Sequence, residues 1–364
     1  MGVSRAVGLS APANSRSFLL GKCSFLRLFI VGFLLLVALV PLYLPVPEPF
    51  PSVAAKKKPE VTLLIWTHPF GKRQKLPDCL TRFRIGGCAL TDDEGAYPRA
   101  DAVILHHREI GTGAIDVPPE PRPREQKWIW LNYESPSHTP ELSRWDGVFN
   151  MTMSYRTDSD IYLPYGYLLQ VPGDGLGAAP PSHLRKPRLL AWVVSNWSES
   201  QARVAFYDEL SRFVSVDVFG RAGRTIPGDN GSSSVVALLT RYQFYLSLEN
   251  SLHTDYITEK LWNAVRAGAI PVVLGPSRRN YERFLPAEAF IHVDDFPTVR
   301  ELARYLLTVR RNPALLLQHL SWRGRYRVHQ PSFWAEHYCV ACRAVKRARG
   351  RTSVVRDLSR WFNS

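Results

Sequence analysis

Apolar residues occur along this chain in short runs separated by polar segments, and in the second half the runs alternate with stretches of helical periodicity. Val61–Trp66 (VTLLIW), Ala102–Leu105 (AVIL) and Trp128–Leu131 (WIWL) read as buried strands. Residues 173–187, rich in glycine and proline, read as a linker. Beyond it, Leu189–Val194 reads as a strand, Ser200–Phe213 as a helix and Val214–Phe219 as a strand, followed by a glycine-bearing loop to Ser234. Phe244–Leu248 is the next strand, Tyr256–Ala267 a helix ended by Gly268, and Ala269–Leu274 a strand closed by Gly275-Pro276. Phe290–Val293 and a helix over Val299–Val309 complete the pattern, with no internal repeat. Strand–helix alternation predicts an α/β protein with parallel sheets covered on both faces. Two such domains flanking a linker place a ligand cleft between them.

One stretch departs from this pattern. Leu28–Leu44 is apolar throughout; extended to Phe25, with Arg27 snorkelling at its edge, it is long enough to cross a bilayer. A cleaved signal peptide would have a shorter apolar core and a small-x-small site, which the sequence lacks before the prolines. The basic residues ahead of the run put 1–24 in the cytosol as a tail, 25–44 as a transmembrane signal-anchor, and the rest in a lumen. Prolines crowd 45–60, which reads as an extended stem.

The formal net charge of +14 is uneven, with arginines and lysines crowding the C-terminus against a lone Asp357. Such a balance suits nucleic acid, anionic membranes or anionic substrates. The membrane segment sets nucleic acid aside. Cys23 falls on the cytosolic side, while Cys79, Cys88, Cys339 and Cys342 fall in the lumen and suggest two disulfides rather than a zinc site. Sequons at Asn150, Asn196 and Asn230 fit the same compartment.

Three segments carry candidate chemistry. In Asp255–Trp262 (DYITEKLW), a helix would set Tyr256, Glu259 and Lys260 on one face at the carboxyl edge of a sheet. A carboxylate can hold ribose hydroxyls and a lysine a diphosphate; an exposed i,i+4 pair remains open. Trp192–Asn196 runs from a strand into a turn, with Ser195 and Asn196 either capping a helix or facing a ligand, and Arg203 two turns on. Tyr133–Thr139 (YESPSHT) follows the Trp128–Leu131 strand; Glu134 there is a candidate general base or a turn carboxylate, with His138 as the other base. Asp158-Ser159-Asp160 imitates the Asp-x-Asp metal motif of many sugar transferases but stands at the end of the first domain, so no metal is assigned to it.

These segments, together with His106-His107-Arg108-Glu109, Pro164-Tyr165-Gly166, Val216–Gly220, Glu249-Asn250-Ser251 and Phe290–Phe296, resemble the animal Lewis-type α1,3-fucosyltransferases from about Val61 onward. The resemblance implies a GT-B-like fold of two Rossmann-like domains facing a cleft: an acceptor domain at 61–172, a GDP-fucose domain at 188–328, and a C-terminal segment, 329–364, returning to the first. It implies inverting transfer of L-fucose to the 3-hydroxyl of N-acetylglucosamine, with Glu134 as base, GDP-fucose as donor, no tightly bound cofactor and no essential metal. Arg203 and Lys260 would stabilise departing GDP. Glu259 would take ribose hydroxyls, and Tyr165, Gly166, Ser195, Asn196, Phe219, Gly220, Glu249, Asn250 and Tyr256 would line the donor pocket. His107, Arg108 and Glu109 would bind acceptor, the acid pointing to type 2 chains. With the resemblance in place, Cys79–Cys339 and Cys88–Cys342 are the expected disulfides, and Asn150 and Asn230 the expected glycan sites, Asn196 staying bare beside the donor. The expected partners are N-acetyllactosamine glycoproteins and glycolipids and the Golgi membrane, in which the chain would be a single-pass type II protein; a homo-oligomer is left open. Another nucleotide-sugar transferase and a silent Golgi glycan-binding protein are the rival readings.

Overall fold

Nearly every run that reads as a strand is one, and the computed structural model describes residues 60–172, 186–228 and 231–364. The apolar run at 25–44, the tail and stem around it, all but two residues of the linker, and Asn230 lie outside the described residues. Among the described residues no helix is long and apolar enough to cross a membrane.

The first lobe begins β1 (Val61–Ile65), α1 (Cys79–Phe83), β2 (Cys88–Thr91), β3 (Ala102–His106) and α2 (His107–Gly111). It continues through β4 (Lys127–Leu131), β5 (Met151–Ser154), β6 (Ile161–Tyr162) and β7 (Tyr167–Gln170). Strands β1 to β6 form one parallel sheet in the order β2-β1-β3-β4-β5-β6. All five residues of β3 and of β4 are buried, as expected for central parallel strands covered on both faces.

The second lobe runs β8 (Arg188–Val193), α3 (Ala202–Ser211), β9 (Asp217–Phe219), α4 (Ser232–Leu239), β10 (Tyr242–Leu248), α5 (Glu259–Arg266) and β11 (Ile270–Leu274). Then come α6 (Arg278–Tyr281), β12 (Ile291–His292), α7 (Val299–Arg311) and α8 (Pro313–Leu320). Its parallel sheet has the order β12-β11-β10-β8-β9. The chain returns through β13 (Tyr326–His329), antiparallel to β7, into α9 (Ala335–Arg347) and α10 (Leu358–Asn363). Two parallel, helix-covered sheets make this the α/β arrangement of a GT-B-like fold.

The last segment belongs to the first lobe's core. Cys342, Val345, Leu358 and Phe362 are buried with β1, β3 and β4, and the Phe362 ring stands edge-on to Trp130 at 4.9 Å. Disulfides join Cys79 to Cys339 and Cys88 to Cys342, the expected pairing. They span 260 and 254 residues, so the first bridge alone removes on the order of 5 kcal/mol of unfolded-chain entropy.

The fold corrects several boundaries. Strands β2, β5, β6, β7 and β13 lacked a readable run because they are short and of mixed polarity, paired through the sheet rather than through their own pattern. Helix α4 occupies part of what reads as a loop. Helix α5 starts at Glu259, not Tyr256: Asp255 has φ 61° and Thr258 is extended, so the chain turns sharply before the helix opens.

Candidate functional site

Both sheets reverse their strand order once, and segments that leave the strands at those points face a common cleft. In the second sheet β8 lies between β9 and β10, and Ser195-Asn196 and Glu249-Asn250 leave β8 and β10 side by side. In the first, β1 lies between β2 and β3, and Phe70 and His106 stand there, next to Tyr133-Glu134 after β4. Carboxyl ends at a switch point are where such sheets bind ligands.

Two adjoining cavities occupy the cleft. One, of about 260 Å³, is lined on the second lobe by Ser195, Asn196, Arg203, Asn250, Glu259 and Lys260. The other, of about 500 Å³, is lined by Phe70, His106, Glu134, Tyr165, Phe333 and Trp334. Glu259 and Ser232 line both.

The cations of the smaller cavity are held in place. Arg203 is buried, donates through Nη2 to the Asn196 carbonyl at 2.5 Å and through Nε to Gln201 at 2.8 Å. Burial lowers its pKa against the pull of Glu249, Tyr256 and Glu259. Lys260 Nζ donates to Glu249 Oε2 at 2.9 Å and Thr258 Oγ1 at 2.7 Å, and lies 3.4 Å from Glu259 Oε1. Burial opposes its charge, but the two carboxylates outweigh burial and raise its pKa. Glu249 also accepts from Thr258 N and Oγ1 at 2.8 and 2.9 Å. Burial raises its own pKa.

Glu134 is half-buried at the end of β4, and its carboxylate makes no hydrogen bond among the described residues. Its loop is held from both sides. Glu134 N donates to Asn132 Oδ1 at 3.2 Å, and Asn132 Nδ2 donates to Thr139 Oγ1 at 3.0 Å. From the second lobe, Ser251 Oγ donates to Ser135 Oγ at 2.6 Å and His253 Nε2 pairs with Ser137 Oγ at 2.7 Å. A carboxylate free of partners, on a rigid loop, is what a general base requires. His138 is exposed, with Nδ1 bonded to Ser135 Oγ at 2.9 Å, and lines neither cavity.

Several expected ligand residues are placed otherwise. Gly166 touches the Trp262 ring: a Cβ there would lie 2.4 Å from Trp262 Cδ2, so the glycine permits lobe-to-lobe packing. Phe219 is buried in the second lobe's core against Tyr242. Gly220, at φ 96°, presses on the Val194 carbonyl and forms a turn. Glu249 lines neither cavity and acts through Lys260. Tyr256 belongs to the first lobe's core, ring against Tyr155 at 5.2 Å, and its pKa is raised by burial and then by Glu249, Glu134 and Glu259.

On the other side, His107 is buried and accepts from Trp130 Nε1 at 3.1 Å; burial and His106 lower its pKa to about 4. His106 reaches the larger cavity instead, hydrogen-bonded through Nδ1 to Glu109. Burial would raise the Glu109 pKa, but His106 holds it low. Arg108 is exposed over the Phe70 ring.

Asp158 is paired with Arg156 at 2.8 Å, and Asp160 Oδ2 accepts from Thr152 N and Oγ1 at 2.8 and 2.9 Å, which commits both to the protein. Asn150 is half-buried rather than looped out, with Oδ1 accepting from Trp128 N and Nδ2 donating to the Ser353 carbonyl at 2.8 Å. Asn196 is exposed on the rim of the smaller cavity. Ser232, Phe333 and Trp334 escaped sequence reasoning, and His106 stood in the His-His-Arg-Glu motif without a role. The first opens α4, whose Val235 and Leu239 spacing was the available signal; the aromatic pair follows no strand or motif.

The model "Fucosyltransferase, N-terminal" matches residues 58–166, and "Glycosyltransferase family 10 (fucosyltransferase) C-term" matches 183–361. The chain belongs to glycosyltransferase family 10. Bovine alpha-(1,3)-fucosyltransferase 4 is 44% identical, covering 86% of this chain and 88% of its own length. Mouse 4-galactosyl-N-acetylglucosaminide 3-alpha-L-fucosyltransferase 9 is 45% identical, covering 83% and 82%. Human alpha-(1,3)-fucosyltransferase 4 is 46% identical over 86% of this chain, which spans 66% of that relative's length. A solved alpha1,3-fucosyltransferase with GDP-fucose aligns over 75% of this chain and 85% of its own, with 18% identity and a TM-score of 0.47.

Proposed function

We infer that this family 10 member is an inverting α1,3-fucosyltransferase, moving L-fucose from GDP-β-L-fucose to the 3-hydroxyl of N-acetylglucosamine in N-acetyllactosamine glycans. The observation that carries the reading is the unpartnered Glu134 carboxylate on the wall of the larger cavity, beside a smaller one bearing Arg203 and Lys260. The GDP part of the donor is assigned to the smaller cavity, its diphosphate toward Arg203 and Lys260 and its ribose toward Glu259, with fucose toward the adjoining larger one. The acceptor faces the larger, against Trp334 and His106, whose partner Glu109 is the acid that the resemblance ties to type 2 chains.

The acceptor oxygen attacks the anomeric carbon as Glu134 takes its proton. The new C–O bond forms while the bond to the β-phosphate breaks, its electron pair leaving with GDP. One displacement through an oxocarbenium-like state inverts the centre without a covalent intermediate. Arg203 and Lys260 meet the charge growing on GDP. The apolar run at 28–44 supports a single-pass type II placement in the Golgi membrane with this site in the lumen.

Labelled GDP-fucose assayed against type 1 and type 2 disaccharides tests the reaction, and Glu134→Gln tests the base. The variant should lose about 10²–10⁴-fold in turnover with GDP binding nearly intact. Turnover within about threefold of the parent removes Glu134 as base.

A further inference from the structure

The segment Ser135–His138, directly after Glu134, lines neither cavity of the cleft, yet a hydrogen-bond chain leads from it to the smaller one. His138 Nδ1 lies 2.9 Å from Ser135 Oγ, and Ser135 Oγ lies 2.6 Å from Ser251 Oγ of the other lobe. Ser251 Oγ lies in turn 3.1 Å from Asn250 Oδ1. Ser135 is fully buried, and His138 and Ser251 are the partners of its hydroxyl. Asn250 lines the smaller cavity with Arg203 and Lys260, and its Nδ2 makes no hydrogen bond among the described residues.

A hydroxyl carries one hydrogen, so two serines in series donate in one sense or the other. In the first sense Ser251 donates to Ser135 and Ser135 to a bare His138 Nδ1. Ser251 then has nothing left to give Asn250, and the amide satisfies it only by turning Nδ2 inward and Oδ1 toward the cavity. In the second sense an Nδ1–H of His138 donates to Ser135, Ser135 to Ser251, and Ser251 to Asn250 Oδ1. Both Nδ2 hydrogens then face the cavity. A diphosphate held by Arg203 and Lys260 is repelled by an amide oxygen and bound by N–H donors. Those donors count most as charge grows on the departing group, which places their effect in turnover rather than in donor binding.

We propose that His138 is a positioning residue: by donating from Nδ1 it sets the sense of this chain and turns the Asn250 N–H groups toward the departing diphosphate. The proposal rests on the GDP-fucose reading of the smaller cavity.

The test, on detergent-solubilised full-length protein, puts an acceptor where the chain needs a donor. His138→Asp offers Ser135 only carboxylate oxygens and imposes the first sense, so kcat for fucose transfer should fall about tenfold or more with donor KM within about twofold. His138→Asn, whose amide can donate from nearly the place of Nδ1, should restore kcat to within about threefold of the parent. Ser251→Ala cuts the chain, so His138→Asp should cost nothing further in that background. Calorimetric affinity for GDP, which carries the charge the leaving group gains, should follow the same cycle. His138→Asn as slow as His138→Asp, or a rise in donor KM alone, overturns the proposal. So does a His138→Asp loss that persists beside Ser251→Ala, which would mean that the new carboxylate acts through space. If the parent protein transfers no fucose, the reaction assignment fails and the GDP cycle alone decides the chain; a parent without affinity for GDP overturns both.

Discussion

Replacing Lys260 with alanine should cost the folded protein stability as well as donor binding, because the lysine answers a buried charge. Glu249 is 2% exposed, and its Oε2 sits 2.9 Å from Lys260 Nζ. Removing one partner of a buried pair leaves the other uncompensated, typically about 3–5 kcal/mol. A second route gives a similar size. Glu249 can escape by binding a proton, and forcing a carboxylate of ordinary pKa ~4.3 to stay protonated at pH 7 costs about 3.7 kcal/mol at ~1.36 kcal/mol per unit. Two estimates near 4 kcal/mol predict a fall in Tm of roughly 6–8 °C for a unit of this size. The sign with pH follows. In the variant the folded-state pKa of Glu249 rises far above its unfolded value, so the deficit is small below about pH 4 and grows as pH rises toward 7. Thermal unfolding of parent and Lys260→Ala at pH 4.5 and 7.5 measures it, and Glu249→Gln/Lys260→Met should recover most of the loss. A Tm within about 2 °C of the parent at pH 7.5, or a deficit independent of pH, refutes the reasoning.

Gly166→Ala should destabilise by about 1–3 kcal/mol, since its Cβ would meet the Trp262 ring at 2.4 Å with backbone on one side and a buried indole on the other; an unchanged melting curve would show that the lobes separate freely there. His337, fully buried in an aromatic cluster with Tyr133 and Phe333, has its pKa pushed down by burial to about 3. Its depressed folded value means the unfolded chain binds the proton first, so stability is lost as pH falls below about 6.5, by roughly 2 kcal/mol at pH 5. His337→Phe should flatten that part of the pH dependence of Tm, and an identical slope in parent and variant removes the histidine as its source. Ser251→Ala, which cuts the bond to Ser135, should lower kcat by about threefold to tenfold with donor KM little changed, through a looser Glu134 loop; a change in donor KM alone would mean the serine serves the nucleotide.

What the sequence determined by itself was the periodic part of the protein. Runs such as VTLLIW, WIWL and AIPVVL read as buried strands, and their alternation with helices predicts parallel sheets; Ser195 and Asn250 then leave one sheet and Glu134 the other, at carboxyl ends that two domains turn toward a shared cleft. Glu259 and Lys260 were legible as a helix-opening pair because that signal is local, whereas the pairing of the four cysteines came only with the resemblance, since it joins residues 260 and 254 apart. The tertiary structure decided which neighbours these residues meet. His106 and not His107 faces the cavity because β3 ends there and the next side chain turns onto Trp130. Tyr256 leaves its own segment for the other lobe's core because Asp255 adopts a positive φ. Phe333 and Trp334 reach the cleft only because two disulfides and α9 carry the end of the chain back across the first sheet. Burial and side-chain direction depend on contacts between residues hundreds of positions apart, and a pattern read along the chain has no access to them.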